Sequence, residues 1–331
     1  MKRVMIPRNI GNRFQVIRSC LSGSERIAGF PFEIAIGITN RCNLDCVFCP
    51  NKSSRHPRGE ISLELLDNLI GQAAPFVDMV DLSFDGEPFL HPAWDECVEI
   101  CHRRGVRATL QTNCLLLDER TIRKVCRVGL DAIILSLDAA DPATYARIKP
   151  AGDYHKAVAN AERFLRVSRD ERNRPHTTIQ FVRSPENLSE EKEFLRKWRG
   201  RGAYYLRIKP MYNFGGGVGG EFLRRSVRPC VLLWTSLAIH WDGTLPLCCM
   251  EIEGRRIMGD AGREELRDIV NSEAFREVRR LHLAGAQDQH PVCRRCDVPP
   301  VPWPFVAGAA LVDDFTRRRL IAFSHRWGQL Q

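Results

Sequence analysis

Cys42, Cys46 and Cys49, separated by three and then two residues, constrain this chain more than any other feature. Thiolates at that spacing can hold three irons of a [4Fe-4S] cluster, which takes four ligands. No fourth cysteine follows nearby, so one iron is left open to a small molecule. The alternative is a zinc knuckle, but zinc sites favour paired C-x2-C units.

Composition narrows the partners. The 331 residues are 44% hydrophobic and 27% charged, as in an ordinary globular protein. The net charge of +9 is mostly arginine, since only eight of the 49 basic residues are lysines. Acidic residues are interspersed and no long basic block occurs, so nucleic acid is not expected as a partner. No apolar run approaches the ~18 residues that span a bilayer. The N-terminus is basic but lacks the apolar core of a signal peptide. Thirteen cysteines, several at cluster spacing, fit a reducing cytoplasm better than a disulfide framework.

Strand and helix patterns alternate. Apolar runs predict strands at 33–39, 79–84, 106–111, 132–137, 177–183 and 204–209. Amphipathic stretches predict helices at 62–73, 93–104, 118–128, 157–168 and 189–199, with Ser62 and Asp118 as N-caps and Gly105 and Gly129 as stops. This alternation predicts βαβ units and a parallel sheet, either a barrel-like array or a doubly wound one. The glycines of 215–220 read as a flexible connector. Beyond them Cys230, Cys248 and the C-x2-C pair Cys293 and Cys296 supply four thiolates, a complete cluster shell or a zinc site. Asp242-Gly243 predicts a hairpin turn that delivers Cys248 from the following strand.

The first cysteine set, with Phe48 before its last member, resembles the radical S-adenosylmethionine (SAM) family, in which the open iron chelates the amino and carboxylate groups of SAM. The second set resembles the auxiliary-cluster domain called twitch, a shortened relative of SPASM. The resemblance covers roughly 32–300. It implies an α/β fold, a partial (β/α)6 radical SAM barrel over 32–214, after an N-terminal extension of 1–31. A twitch domain would follow over 215–303, then a tail of 304–331 that starts as coil and ends in a basic helix. The implied cofactors are SAM and two [4Fe-4S] clusters, because the further cysteines of the longer domain are missing. Asp85, Gly86, Glu87 and Pro88 resemble the family's Gly-Gly-Glu-Pro, whose carbonyls hold the SAM amino group. Asp85 departs from the pattern, tolerably if that position does not need positive φ. Thr112, Asn113, Ser136 and Asp138 stand at strand ends, where such folds bind ligands, and are expected around the SAM ribose or carboxylate. Arg183 is expected to bind the SAM carboxylate or a substrate hydroxyl.

The auxiliary spacing resembles radical SAM enzymes of aminocyclitols and aminoglycosides, a group with both dehydrogenases and epimerases of the neomycin C epimerase type. Cys249 decides between them here. Neighbours on a strand point to opposite faces, so with Cys248 on the cluster Cys249 would be left as a thiol hydrogen donor. That predicts epimerisation of an amino sugar. Oxidation of a secondary alcohol to a ketone is the alternative, and peptide modification a second one, for which the ~30 residues before the first strand leave little room for a leader-binding module. Cys114, near the same rim, is a rival donor. Cys97 and Cys101 read as core, and Cys20 and Cys126 carry no readable role. Glu251 and Glu253 are expected to offset the charge of a polyamine substrate. A flavodoxin or ferredoxin is expected to supply electrons.

Overall fold

The computed structural model describes residues 9–218, 229–298 and 308. Seven parallel strands form the main sheet: β1 (Glu33–Ile36), β2 (Met79–Asp81), β3 (Arg107–Thr112), β4 (Ala132–Ser136), β5 (His176–Arg183), β6 (Tyr205–Pro210) and β7 (Ser236–Ile239). Their order is β6-β5-β4-β3-β2-β1-β7. The six predicted strands are present and paired in chain order. β7, which comes from the cysteine-rich C-terminal part, adds beside β1 with Ile34 opposite Leu237.

The sheet is curled and open. The Asp81 carboxylate on β2 acts on the Lys209 ammonium on β6. In a flat sheet four strand spacings would hold them roughly 19 Å apart. The faces of β2 and β6 that carry these groups therefore converge, as in a partial barrel left open between its edge strands β6 and β7.

Helices cover the outer face: α1 (Ile10–Leu21), α2 (Leu63–Ala73), α3 (Trp94–Arg103), α4 (Glu119–Val128), α5 (Pro142–Ile148), α6 (Tyr154–Val167) and α7 (Glu191–Trp198). Ser62 caps α2 by accepting from the Leu65 N–H, and Asp118 caps α4 by accepting from Thr121 at 2.7 Å. Gly129 ends α4 in the left-handed region. The helix α2 buries Leu66, Leu69, Ile70 and Ala73, the stripe expected of a helix on a sheet. On the N-terminal α1 the Arg13 guanidinium meets the Asp78 carboxylate, just before β2, at 2.8 Å out of solvent.

The C-terminal part adds α8 (Leu232–Thr235), a two-stranded antiparallel pair of β8 (Thr244–Pro246) with β9 (Ile257–Asp260), and the helices α9 (Leu266–Ile269) and α10 (Glu273–Leu283). Asp242-Gly243 does form a tight turn, with Gly243 at φ +86°. Across it the His240 N–H donates to the Thr244 carbonyl at 2.9 Å, while the flanking strands pair elsewhere, β7 with β1 and β8 with β9. Gly215 and Gly216 correct an expectation. A Cβ on either would stand within 3 Å of Val292 or Arg295, so these glycines permit close packing. The end of the connector and the predicted tail helix lie outside the described residues.

Candidate active site

The first cysteine group sits on the loop after β1. Cys42 is exposed, Cys46 and Cys49 half-buried. Burial pushes the Cys46 thiol up to about 12, opposed by the Lys149 ammonium and reinforced by Cys49 and Cys42. The loop is held from behind. The Arg58 guanidinium donates to the Asn40 carbonyl and to Asn51, and Asn51 donates to the Asn40 carbonyl at 3.0 Å. Phe48 packs against the hydrophobic core as a partly buried ring.

Residues 85–88 lie directly on that loop. The Glu87 N–H donates to the Arg41 carbonyl at 2.9 Å. A Cβ at Gly86 would lie 2.2 Å from the Thr39 carbonyl oxygen, so only glycine fits. Pro88 is buried at the start of a short 3-10 turn. Glu87, 2% exposed, accepts from the Thr112 hydroxyl and the Asn113 N–H, both at 2.9 Å. Burial pushes its carboxyl up to about 7 against those hydrogen bonds. Asn113 donates to Asn43 on the cysteine loop at 2.8 Å. Asp85 does not adopt positive φ, which answers the departure from glycine.

The strand-four end is tied inward. Asp138 takes positive φ and is 0% exposed. One oxygen accepts from the Val182 N–H; the other meets the Ser136 hydroxyl and the Lys149 ammonium, each at 2.7 Å. The pattern gave no sign of Lys149. Its ammonium is buried and held charged by Asp138, with Cys46 adding to the effect. Arg183 is drawn to Glu191 on α7, with Nε donating at 2.8 Å. Cys114 is corrected as a rival donor: it is 0% exposed, packed in the core, and its thiol is pushed up by burial.

The second group is assembled by longer contacts. Cys230, Cys248, Cys293 and Cys296 act on one another electrostatically. The Cys230 N–H donates to His282 at 3.2 Å, and Asp297 accepts from the Asn213 N–H at 3.0 Å. The Arg279 guanidinium, 1% exposed, donates to the carbonyls of Leu233, Glu25 and Val270. Strand alternation does not orient Cys249. The register breaks between Leu245 and Pro246, since proline has no N–H for the ladder, and Cys248 and Cys249 follow in a turn. The Cys249 thiol nevertheless has its own surroundings. Burial pushes it up to about 11, Glu33 on β1 raises it further and Lys209 on β6 lowers it. The same thiol acts in turn on Cys248 and Cys230 of the four-cysteine group. Lys209 is lowered to about 8 by desolvation and Arg207.

Glu251 and Glu253, expected at a polyamine substrate, are engaged within the chain. Both carboxylates meet the Arg255 guanidinium, at 3.4 and 3.0 Å, and Glu251 is 0% exposed. Cys97 and Cys101 are core residues, and Cys20 and Cys126 are also buried.

Among the described residues no three cysteine, histidine or acidic side chains stand preassembled around a metal position. The donors still suit iron–sulfur clusters. All thirteen cysteines are free thiols, and the two groups offer sulfur alone, which soft iron–sulfur sites take. The glycine cradle at Gly86 sits against the loop of the three-cysteine group.

The chain matches the radical SAM superfamily over residues 36–197 and the iron–sulfur cluster-binding SPASM domain over residues 230–297. An uncharacterised protein of Methanocaldococcus jannaschii is 31% identical over 160 residues, 46% of this chain and 51% of its own length. The chain thus spans about half the length of that curated relative. SuiB of Streptococcus suis, solved with its precursor peptide SuiA, aligns at TM-score 0.64 and 15% identity over 87% of this chain and 74% of SuiB. BtrN, solved with AdoMet and 2-DOIA, aligns at TM-score 0.57 and 19% identity over 81% of this chain and 94% of BtrN. At these identities the structures show a shared fold.

Proposed function

From a chain that belongs to the radical SAM superfamily and carries an iron–sulfur cluster-binding SPASM domain, we propose an epimerase that inverts a carbon centre of an amino sugar. Cys42, Cys46 and Cys49 would hold one [4Fe-4S] cluster, and Cys230, Cys248, Cys293 and Cys296 an auxiliary one. The backbone of 85–88, with Asn113, Ser136 and Arg183, would seat SAM beside Phe48, and Asp138 would hold Ser136 in place. Bound there, SAM and the reduced cluster supply a 5′-deoxyadenosyl radical that takes hydrogen from an unactivated C–H bond.

The observation that carries the reading is the position of Cys249. It adjoins the auxiliary group, with Cys248 and Cys296 sharing its field, and Glu33 and Lys209, from two strands of the main sheet, also act on its thiol. A thiol there can give its hydrogen atom to a substrate carbon radical from the face opposite the abstraction. The S–H bond broken is weaker than the C–H bond formed. The resulting thiyl regains its hydrogen as one proton and one electron. The Lys209 ammonium, whose charge acts on that thiol, would return the proton. The electron would come from a one-electron carrier of the flavodoxin or ferredoxin class. With Glu251 and Glu253 engaged by Arg255, Glu33 and Asp81 are the acids that would face a polyamine.

Oxidation of a secondary alcohol to a ketone is the second reading, favoured by Lys209, because an amine lowered to about 8 can also accept a hydroxyl proton. The thirteen cysteines, several at cluster spacing, support a reducing compartment under either reading. The test is anaerobic turnover of the cluster-reconstituted protein with SAM, a strong reductant and a panel of aminoglycosides. The epimerase reading expects a product of unchanged mass with one inverted carbon. Cys249→Ala should still form 5′-deoxyadenosine but no epimer. A product two hydrogens lighter, made equally by Cys249→Ala, supports the dehydrogenase instead.

A further inference from the structure

Asp85 stands where the family tetrad has glycine, and the fold gives it a partner no spacing rule links to it. It follows β2. Its carboxylate passes over Gly37, at the end of β1, where a Cβ would lie 2.1 Å from Oδ1. It then meets His240 Nδ1, at the end of β7, at 2.8 Å. The carboxylate thus spans the ends of three adjacent strands, β2, β1 and β7, and the middle one lacks a side chain where it passes. Neither partner sees solvent: Asp85 is 5% exposed and His240 0%.

The other face of His240 carries the cysteine loop. The His56 ring stacks on it at 4.3 Å and 23°. His56 Nε2 meets Asp242 at 3.2 Å, and the Trp241 indole donates to the Pro57 carbonyl at 2.9 Å. The Trp241 ring fills the space a Cβ would take at Gly59. One imidazole therefore touches the turn 85–88, and through His56 the segment after Cys49. It also opens the turn that leads to Cys248.

We propose that Asp85 and His240 are a positioning pair that seats the 85–88 turn on β7, so that SAM affinity depends on a residue outside the radical SAM domain. The pair rests on the assignment of 85–88 to SAM, and either reaction outcome leaves its role unchanged. Removing His240 alone leaves a buried carboxyl group without its hydrogen-bond partner, which is the costly case. Removing both partners restores the glycine of the family pattern over a second apolar group and should be milder.

The experiment measures equilibrium SAM binding to the cluster-reconstituted full chain, together with the change SAM makes in the EPR signal of the reduced cluster. Iron content is matched across variants. His240→Leu should weaken SAM roughly tenfold and shrink the EPR change. His240→Asn, whose amide can donate from near the Nδ1 position, should recover most of both. Asp85→Gly with His240→Leu should bind within about threefold of wild type, a coupling read from the double-mutant cycle. Gly86→Val is the control for the turn and should abolish binding. Wild-type affinity in His240→Leu, with binding lost in Gly86→Val, would overturn the positioning role. Unchanged binding in Gly86→Val would overturn the assignment of the turn itself.

Discussion

The two halves of the site are held in different ways. Around the three-cysteine loop, side chains at successive strand ends bond to one another: Glu87 to Thr112 and Asn113, Asn113 to Asn43, Asp138 to Ser136 and Lys149. Around the four-cysteine group, the fixing bonds run to backbone groups far away in sequence. Arg279 reaches the Glu25 carbonyl across 254 residues and Leu233 across 46; Asn213 reaches Asp297 across 84. A repeated βα unit sets the first half up locally, whereas the second exists only once the chain has closed on itself. Loss of one contact should therefore act as a buried-charge defect in the first half and as a loss of assembly in the second.

The largest effect is expected at Lys149. Lys149→Met leaves the buried Asp138 carboxylate unpaired and should cost about 3–5 kcal/mol of stability in chemical denaturation. Adding Asp138→Asn should recover much of it. A cost below about 1 kcal/mol would mean the ion pair is not what orders the strand-four end. Next comes Arg279→Lys, which keeps the charge but cannot serve three carbonyls. It should cost about 2–3 kcal/mol and lower iron retained at the four-cysteine group, with the other cluster intact. Equal iron loss from both groups would erase the contrast between the halves.

The smallest effect lies at their junction. Asp242 raises His56 above its ordinary value, with Asp85 and Glu251 adding to it and burial opposing; the ring it stacks on is His240. A raised histidine contributes stability fully below its unfolded pKa, about 6.5, and loses it as pH climbs through the folded value. Stability should fall by less than about 1 kcal/mol across that window, and His56→Gln should flatten the slope. A slope unchanged in His56→Gln would assign the titration elsewhere.

The same contrast explains what could be read in advance. Strand positions, the Ser62 and Asp118 caps and the Gly129 stop follow from local pattern. The reading of 33–39 as strand overran because β1 ends at Ile36, before Gly37 makes room for Asp85. Helix α1 was missed because Phe14 and Leu21 lie exposed on it, which blurs the apolar stripe of Val16, Ile17 and Cys20. The pairing of β7 with β1, and of His240 with Asp85 across 155 residues, has no local signature. Lys149 reads as a surface charge until the fold places Asp138 over it. Pro246 stopped the strand that was expected to orient Cys249.

The central claim is that Cys249 delivers hydrogen to the substrate. Turnover in D2O tests it most directly, because the thiol exchanges with solvent and an abstracted carbon-bound hydrogen does not. The account predicts one deuterium at the inverted carbon of each product, and none formed by Cys249→Ala. An inverted product without deuterium, or a ketone made as well by Cys249→Ala as by the wild type, would contradict it.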